Sequence, residues 1–147
     1  MVSLTVLMLV GAKLEETQGK LEEAQTIELQ EQGRQEEALK LLESSQEHLK
    51  RVGKIIALSL TALTRKGVEI NRELWLKDAV EVEKSGATIT CQAIVHQIIE
   101  QGIEVEDRKH AWIEDADTFI TNGAYECARA VYAHALQVRK ANKVTVV

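Results

Sequence analysis

The chain has 147 residues, of which 28% are charged, with a net charge of −5, no proline, eight glycines and five residues among Phe, Trp and Tyr. That length holds one domain or part of one, and a proline-free chain dominated by Glu, Lys, Gln, Leu and Ala favours helix throughout. The cations stand singly or in pairs such as Lys50-Arg51, Arg65-Lys66 and Arg108-Lys109. This is not the clustered footprint of direct nucleic-acid binding, and so few aromatic rings leave little for base stacking.

Residues 1–10 are apolar enough to suggest a secretory signal, with Val10-Gly11-Ala12 as a small-residue cleavage site. The basic n-region is missing, however, and the run passes directly into Ala12-Lys13-Leu14-Glu15-Glu16, which continues a helix. The run is also too short to span a bilayer, so no membrane association is expected. Residues 2–18 read as the first helix of a repeat, with Met8 at its anchor position and Gly19 at its turn.

A Glu/Gln-rich segment, about residues 20–51, then interrupts the pattern, divided by Gly19 and Gly33 into a short helical piece and a longer one. We take residues 1–70 together as an irregular first repeat carrying this insertion. Within it Leu42, Leu49, Ile56 and Leu63 recur every seven residues. That stripe is either the seam of a self-associating coiled coil or one side of a long helix packed inside an array, and the spacing leaves both open.

From Val68 to Leu136 the sequence repeats on itself at a constant offset of 37: Trp75 returns as Trp112, Ala79 as Ala116, Gly86 as Gly123 and Ala93 as Ala130. A gapless offset of this size is the signature of a helical-repeat array. Each unit reads as a helix, a glycine turn and a return helix: residues 71–84 and 89–101 in a repeat spanning 71–104, and a second repeat spanning 105–140 with its return helix at 125–139. Residues 141–147 form a tail. Trp75, Ala79 and Val82 lie on one face of a 3.6-residue helix, as do Trp112, Ala116 and Phe119. Alanines at matched positions let helix axes approach, so both indole rings are expected between helices. Asp107 reads as an N-cap for the helix carrying Trp112. One such hairpin cannot bury its own apolar face and must stack on neighbours, so the fold class is an all-α, TPR-like solenoid of antiparallel helix pairs.

No catalytic arrangement emerges. His48, His96, His110 and His134 fall on separate helices, without a nucleophile and acid in a recognisable order. The glycines stand singly, so no phosphate loop forms. Cys91 and Cys127 lack CxxC spacing and read as small buried hydrophobes in a reducing compartment rather than as a disulfide or a metal site. Neither an enzyme activity nor a cofactor is implied.

The strings Gly67-Val68-Glu69-Ile70-Asn71-Arg72-Glu73-Leu74-Trp75, Thr90-Cys91-Gln92-Ala93, Glu106-Asp107-Arg108-Lys109-His110-Ala111-Trp112 and Glu126-Cys127-Ala128-Arg129-Ala130-Val131-Tyr132 closely resemble the pre-mRNA-processing factor 6 family, the tri-snRNP bridging proteins of the spliceosome. Their repeats are of the half-a-TPR (HAT) class, with a Trp early in the first helix and an Ala-Arg-Ala-x-Tyr-like run in the second, here ending at Tyr132. The resemblance implies a nuclear, non-catalytic scaffold for protein–protein contacts in splicing, with spliceosomal snRNP proteins as partners. The chain resembles a partial copy: the family is several times longer, residues 20–51 interrupt its pattern, and Val144-Thr145-Val146-Val147 stand where a further repeat should begin. Self-association through Leu42, Leu49, Ile56 and Leu63, or through exposed repeat ends, is the alternative expectation.

Overall fold

A computed structural model describes residues 4–145, and the side chains of residues 8–141. All regular elements among them are helical, and the chain divides into two compact units, 1–67 and 68–147.

The first unit is a hairpin of two long helices, α1 (Leu4–Glu31) and α2 (Gln35–Arg65). Gly33, at φ +76°, turns the chain between them, and the Arg34 and Gly33 N–H groups donate to the Leu29 and Gln30 carbonyls, closing the end of α1. The sequence suggested a second break at Gly19, but α1 runs straight through it. Gly19 serves close packing instead: a Cβ there would lie 2.8 Å from the Leu49 side chain, and the Ser45 hydroxyl donates to the Gly19 carbonyl at 2.6 Å. That contact and the 2.5 Å approach of His48 Nδ1 to Glu15 Oε2 fix an antiparallel register. The same register sets Met8 and Ala12 level with Ile56 and Val52, all four buried.

The heptad stripe is therefore covered from within. Ile56 and Leu63 are 0% and 7% exposed, Leu49 lies over Gly19, and Leu42 is half-buried. Those four positions offer no free seam to a second chain, which corrects the expectation of self-association through them. The Glu/Gln-rich end of the hairpin has a different interior. Its buried residues are Glu22, Thr26, Ala38 and Ser45, so hydrogen bonds such as Thr26 hydroxyl to Glu22 carbonyl at 2.8 Å replace apolar packing there.

The second unit contains two helix pairs, α3 (Arg72–Lys84) with α4 (Thr88–Ile98), and α5 (Arg108–Thr121) with α6 (Tyr125–Thr145). Asn71 caps α3 by accepting the Leu74 N–H at 3.2 Å. Both hairpin turns use a glycine with positive φ, Gly86 at +94° and Gly123 at +75°. Their backbone bonds repeat at the sequence offset: Ala87 N–H to Val82 carbonyl and Ala124 N–H to Phe119 carbonyl, Gly86 to Glu83 and Gly123 to Ile120. The repeat read in the sequence is thus a repeat of backbone geometry, and the pairs stack through α4 against α6.

Two boundaries differ from expectation. Val105–Asp107 is a 3-10 turn leading into α5, and Asp107 occupies the N-cap position without a side-chain capping bond. The last helix continues to Thr145 where a tail was expected from residue 141, while Val146 and Val147 lie outside the described residues. In the preceding pair the chain leaves α4 through Gly102, at φ +70°. The residue 37 positions later is Arg139, whose Cβ disfavours that conformation, so α6 runs on. Among the described residues no helix is long and apolar enough to cross a membrane.

Candidate functional site

The repeat positions singled out in the sequence fall into three environments. Trp75, Ala79, Ala116 and Ala130 are buried, at 7%, 0%, 1% and 8% exposure; Ala93 and Trp112 are half-buried; Tyr132 is exposed, as are the turn glycines Gly86 and Gly123. The two tryptophans are not equivalent. Trp112 lies edge-on to His134, with ring centroids 5.4 Å apart and planes at 87°, and its Nε1 has no acceptor among the described residues. The sequence pattern treats both as core positions, because periodicity identifies the inward face of a helix without saying what covers the rest.

Polar side chains hold the two pairs together, and the sequence pattern did not single them out. Arg72, in the first turn of α3, forms a bidentate ion pair with Asp115 of α5 and donates from Nη2 and Nε to the Ile99 carbonyl at 2.9 and 3.2 Å. Both side chains of the ion pair are shielded, at 17% and 16% exposure. This is a fork-to-carboxylate geometry that a lysine cannot reproduce. Glu83 accepts the Cys127 N–H at 2.8 Å and so caps α6 from the neighbouring pair, while Gln92 donates to Glu126 at 2.7 Å. Further along the joint, His134 Nε2 meets Glu100 Oε1 at 2.7 Å, and Arg108 lies 3.6 Å from the other Glu100 oxygen. His96 packs edge-on to His134 at 4.9 Å. Burial and the adjacent His134 lower the His96 pKa from its ordinary 6.5, against the opposing pull of Glu100.

The joint also gathers Glu83, Cys91 and Cys127, whose ligand atoms all lie within 4.8 Å of one another. The two cysteines come from return helices 36 residues apart in sequence, a spacing that carries no metal or disulfide signal. The surroundings suit a protonated Cys127 thiol. The Cys91 contact, burial and the nearby Glu83 carboxylate push the Cys127 thiol upward, and Cys91 Sγ lies 3.0 Å from the Thr88 carbonyl as a donor. The arrangement packs two small polarizable side chains where α4 crosses α6.

The shallow depression at the start of α3, lined by Glu69, Ile70, Asn71, Arg72 and Glu73, brings no nucleophile together with a base. Apolar side chains are also exposed on the last pair. On the outer side of the last pair Ile113, Tyr132 and Leu136 are 53%, 51% and 55% exposed, with Ile120 and Tyr125 nearby in the repeat.

No protein-family profile matches the chain. It is 53% identical over 92 residues to human pre-mRNA-processing factor 6, covering 63% of this chain and 10% of that protein. It is 39% identical over 93 residues to pre-mRNA-splicing factor prp1 of Schizosaccharomyces pombe, with the same coverages. Against Protein STABILIZED1 of Arabidopsis thaliana the identity is 40% over 103 residues, 70% of this chain and 10% of that protein. The matched stretches cover 63–70% of this chain. The chain spans about a tenth of the length of the curated relatives it matches.

Proposed function

We propose that this chain is a non-catalytic HAT-repeat scaffold that makes protein–protein contacts in pre-mRNA splicing, within the nucleus, with spliceosomal snRNP proteins as its partners. The observation that carries the reading is the 53% identity to a pre-mRNA-processing factor over the greater part of the chain. The structure supplies a physical basis: a joint of charged and polar groups at Arg72, Asp115, Glu83 and Glu126 holds two helix pairs at fixed register. Rigid pairs present side chains from successive helices at set distances, which suits an extended binding surface rather than a reaction centre.

The test is capture from nuclear extract with the tagged full chain, followed by quantitative mass spectrometry. Enrichment of snRNP proteins that survives nuclease treatment and is lost with Arg72→Ala, which loosens the joint, supports the scaffold reading. Enrichment lost on nuclease treatment would mean that RNA carries the association. No enrichment over an unrelated helical-repeat protein would refute a splicing role.

A further inference from the structure

We propose that Glu83, Cys91 and Cys127 form a binding site for a soft, thiophilic divalent cation, of which zinc is the representative, where α4 crosses α6. The ligand atoms of all three lie within 4.8 Å of one another, and Cys91 Sγ is 3.9 Å from Glu83 Oε1. A tetrahedral ion with bonds of about 2.3 Å to sulfur and about 2.1 Å to oxygen holds such atoms roughly 3.6–3.8 Å apart. Coordination therefore asks for a contraction of about 1 Å at most, within the reach of side-chain rotation.

The repeat gives no packing reason for the two thiols. At the offset of 37, Cys91 corresponds to Ala128, Cys127 to Thr90 and Glu83 to Ile120. Thr90 and Ala128 are themselves buried, at 0% and 3% exposure, so those positions require only a small side chain. Cys91 and Cys127 stand one residue out of register with each other, on the return helices of different pairs, and the stacking of α4 on α6 brings them together.

The donor set selects the cation. Two sulfurs and a carboxylate suit zinc, cadmium or cobalt, whereas magnesium and calcium are bound through oxygen. On binding, each thiol gives its proton to solvent as its sulfur–metal bond forms, leaving two thiolates and one carboxylate around a divalent ion. The surplus negative charge is met by helix ends. Cys91 lies in the first turn of α4 and Cys127 in the first turn of α6, where the aligned backbone dipoles favour thiolate. The Cys127 N–H donates to Glu83 at 2.8 Å and so orients the carboxylate. The Thr88 carbonyl, 3.0 Å from Cys91 Sγ, adds an oxygen beside the trio. Both cysteines are 0% exposed while Glu83 is half-buried, so the carboxylate side is the route by which an ion reaches the sulfurs. The Cys91 contact and the burial that hold the Cys127 proton in place are overcome by a cation with strong bonds to sulfur, which again points away from magnesium and calcium.

The test uses the full chain, freed of metal with a chelator and kept reduced with a phosphine. It is titrated with cadmium chloride and followed by the ultraviolet thiolate-to-cadmium charge-transfer band. The band is expected to saturate at one cadmium per chain, and zinc should displace the cadmium and raise the melting temperature. Cys91→Ala and Cys127→Thr borrow the small residues of the corresponding repeat positions and so keep the packing. Each should weaken cadmium binding about a hundredfold or more, and Glu83→Gln about tenfold or more. His48→Gln in the other unit should leave binding unchanged, and magnesium should not compete.

Absence of the band in the folded wild-type chain would overturn the proposal, as would one-to-one binding that persists in the Cys91→Ala/Cys127→Thr double variant. Binding indifferent to Glu83→Gln would overturn the three-ligand site. Should a variant lose its helical circular dichroism, cobalt spectra of the wild-type chain decide. Intense visible absorption with a sulfur charge-transfer band marks tetrahedral thiolate coordination, and the weak absorption of octahedral cobalt would refute it. The site does not depend on the splicing reading, so its failure would leave capture of snRNP proteins from extract unaffected.

Discussion

Replacing Trp75 by alanine tests the repeat core most directly. The indole is 7% exposed, and the neighbouring Ala79 and Val82 on its face are 0% and 4% exposed. A buried Trp removes about 150–250 Å² from water, which at about 25 cal/mol per Å² corresponds to roughly 4–6 kcal/mol as an upper bound. Measured large-to-small losses place Trp→Ala at about 3–5 kcal/mol. Trp112, half-buried and edge-on to His134, should cost about half as much on the same area scale. The assay is urea unfolding followed by far-ultraviolet circular dichroism, with fluorescence as a second probe. The chain contains two tryptophans, so each variant leaves a single fluorophore in the same unit. A loss below about 1 kcal/mol for Trp75→Ala would mean that the ring is exposed and the packing is wrong. A larger loss for Trp112→Ala than for Trp75→Ala would refute the asymmetry between the pairs.

Arg72→Ala should cost about 2–3 kcal/mol, because it strands a shielded carboxylate and the Ile99 carbonyl together. Asp115→Ala should cost less, since Arg72 keeps its bond to Ile99, and a double-mutant cycle measures the coupling. Two glycines of the first unit should respond oppositely to alanine. Gly53→Ala, with open space around the added Cβ, should stabilise by about 0.5–1 kcal/mol, whereas Gly19→Ala, which drives a Cβ into Leu49, should destabilise by about 1–3 kcal/mol in the same assay. The lowered pKa of His96 sets a pH dependence. A base whose pKa falls on folding binds more protons when unfolded, so stability should be flat well above 6.5 and decline as pH falls below it. Melting curves between pH 8 and 5 check this, and His96→Gln should flatten the slope.

Gly33 and Gly19 show where reading the sequence stops. Both interrupt a polar helical stretch, yet Gly33 adopts positive φ and turns the chain, while Gly19 sits inside α1 because its missing side chain admits Leu49. Glycine has two physical uses, conformational freedom and close approach, and composition does not distinguish them. The heptad at Leu42, Leu49, Ile56 and Leu63 is legible in the same limited sense. Its spacing defines a stripe on α2, but a stripe can face another chain or the preceding helix of its own, and the hairpin register decides for the latter.

What the sequence determined by itself is everything local or repeated. It specified the all-helical character, the offset of 37, the turns at Gly86 and Gly123, and the inward faces carrying Ala79 and Ala116. These follow from periodicity and turn chemistry, which act over a few residues. Only tertiary structure decided which inward faces are covered. It joined Arg72 to Asp115 across 43 residues, brought Cys91 beside Cys127, buried Trp75 more deeply than Trp112, and left Ile113, Tyr132 and Leu136 open. Coverage depends on the neighbour that stacks on a face, and a repeat writes the same face into every unit whether or not the chain provides that neighbour.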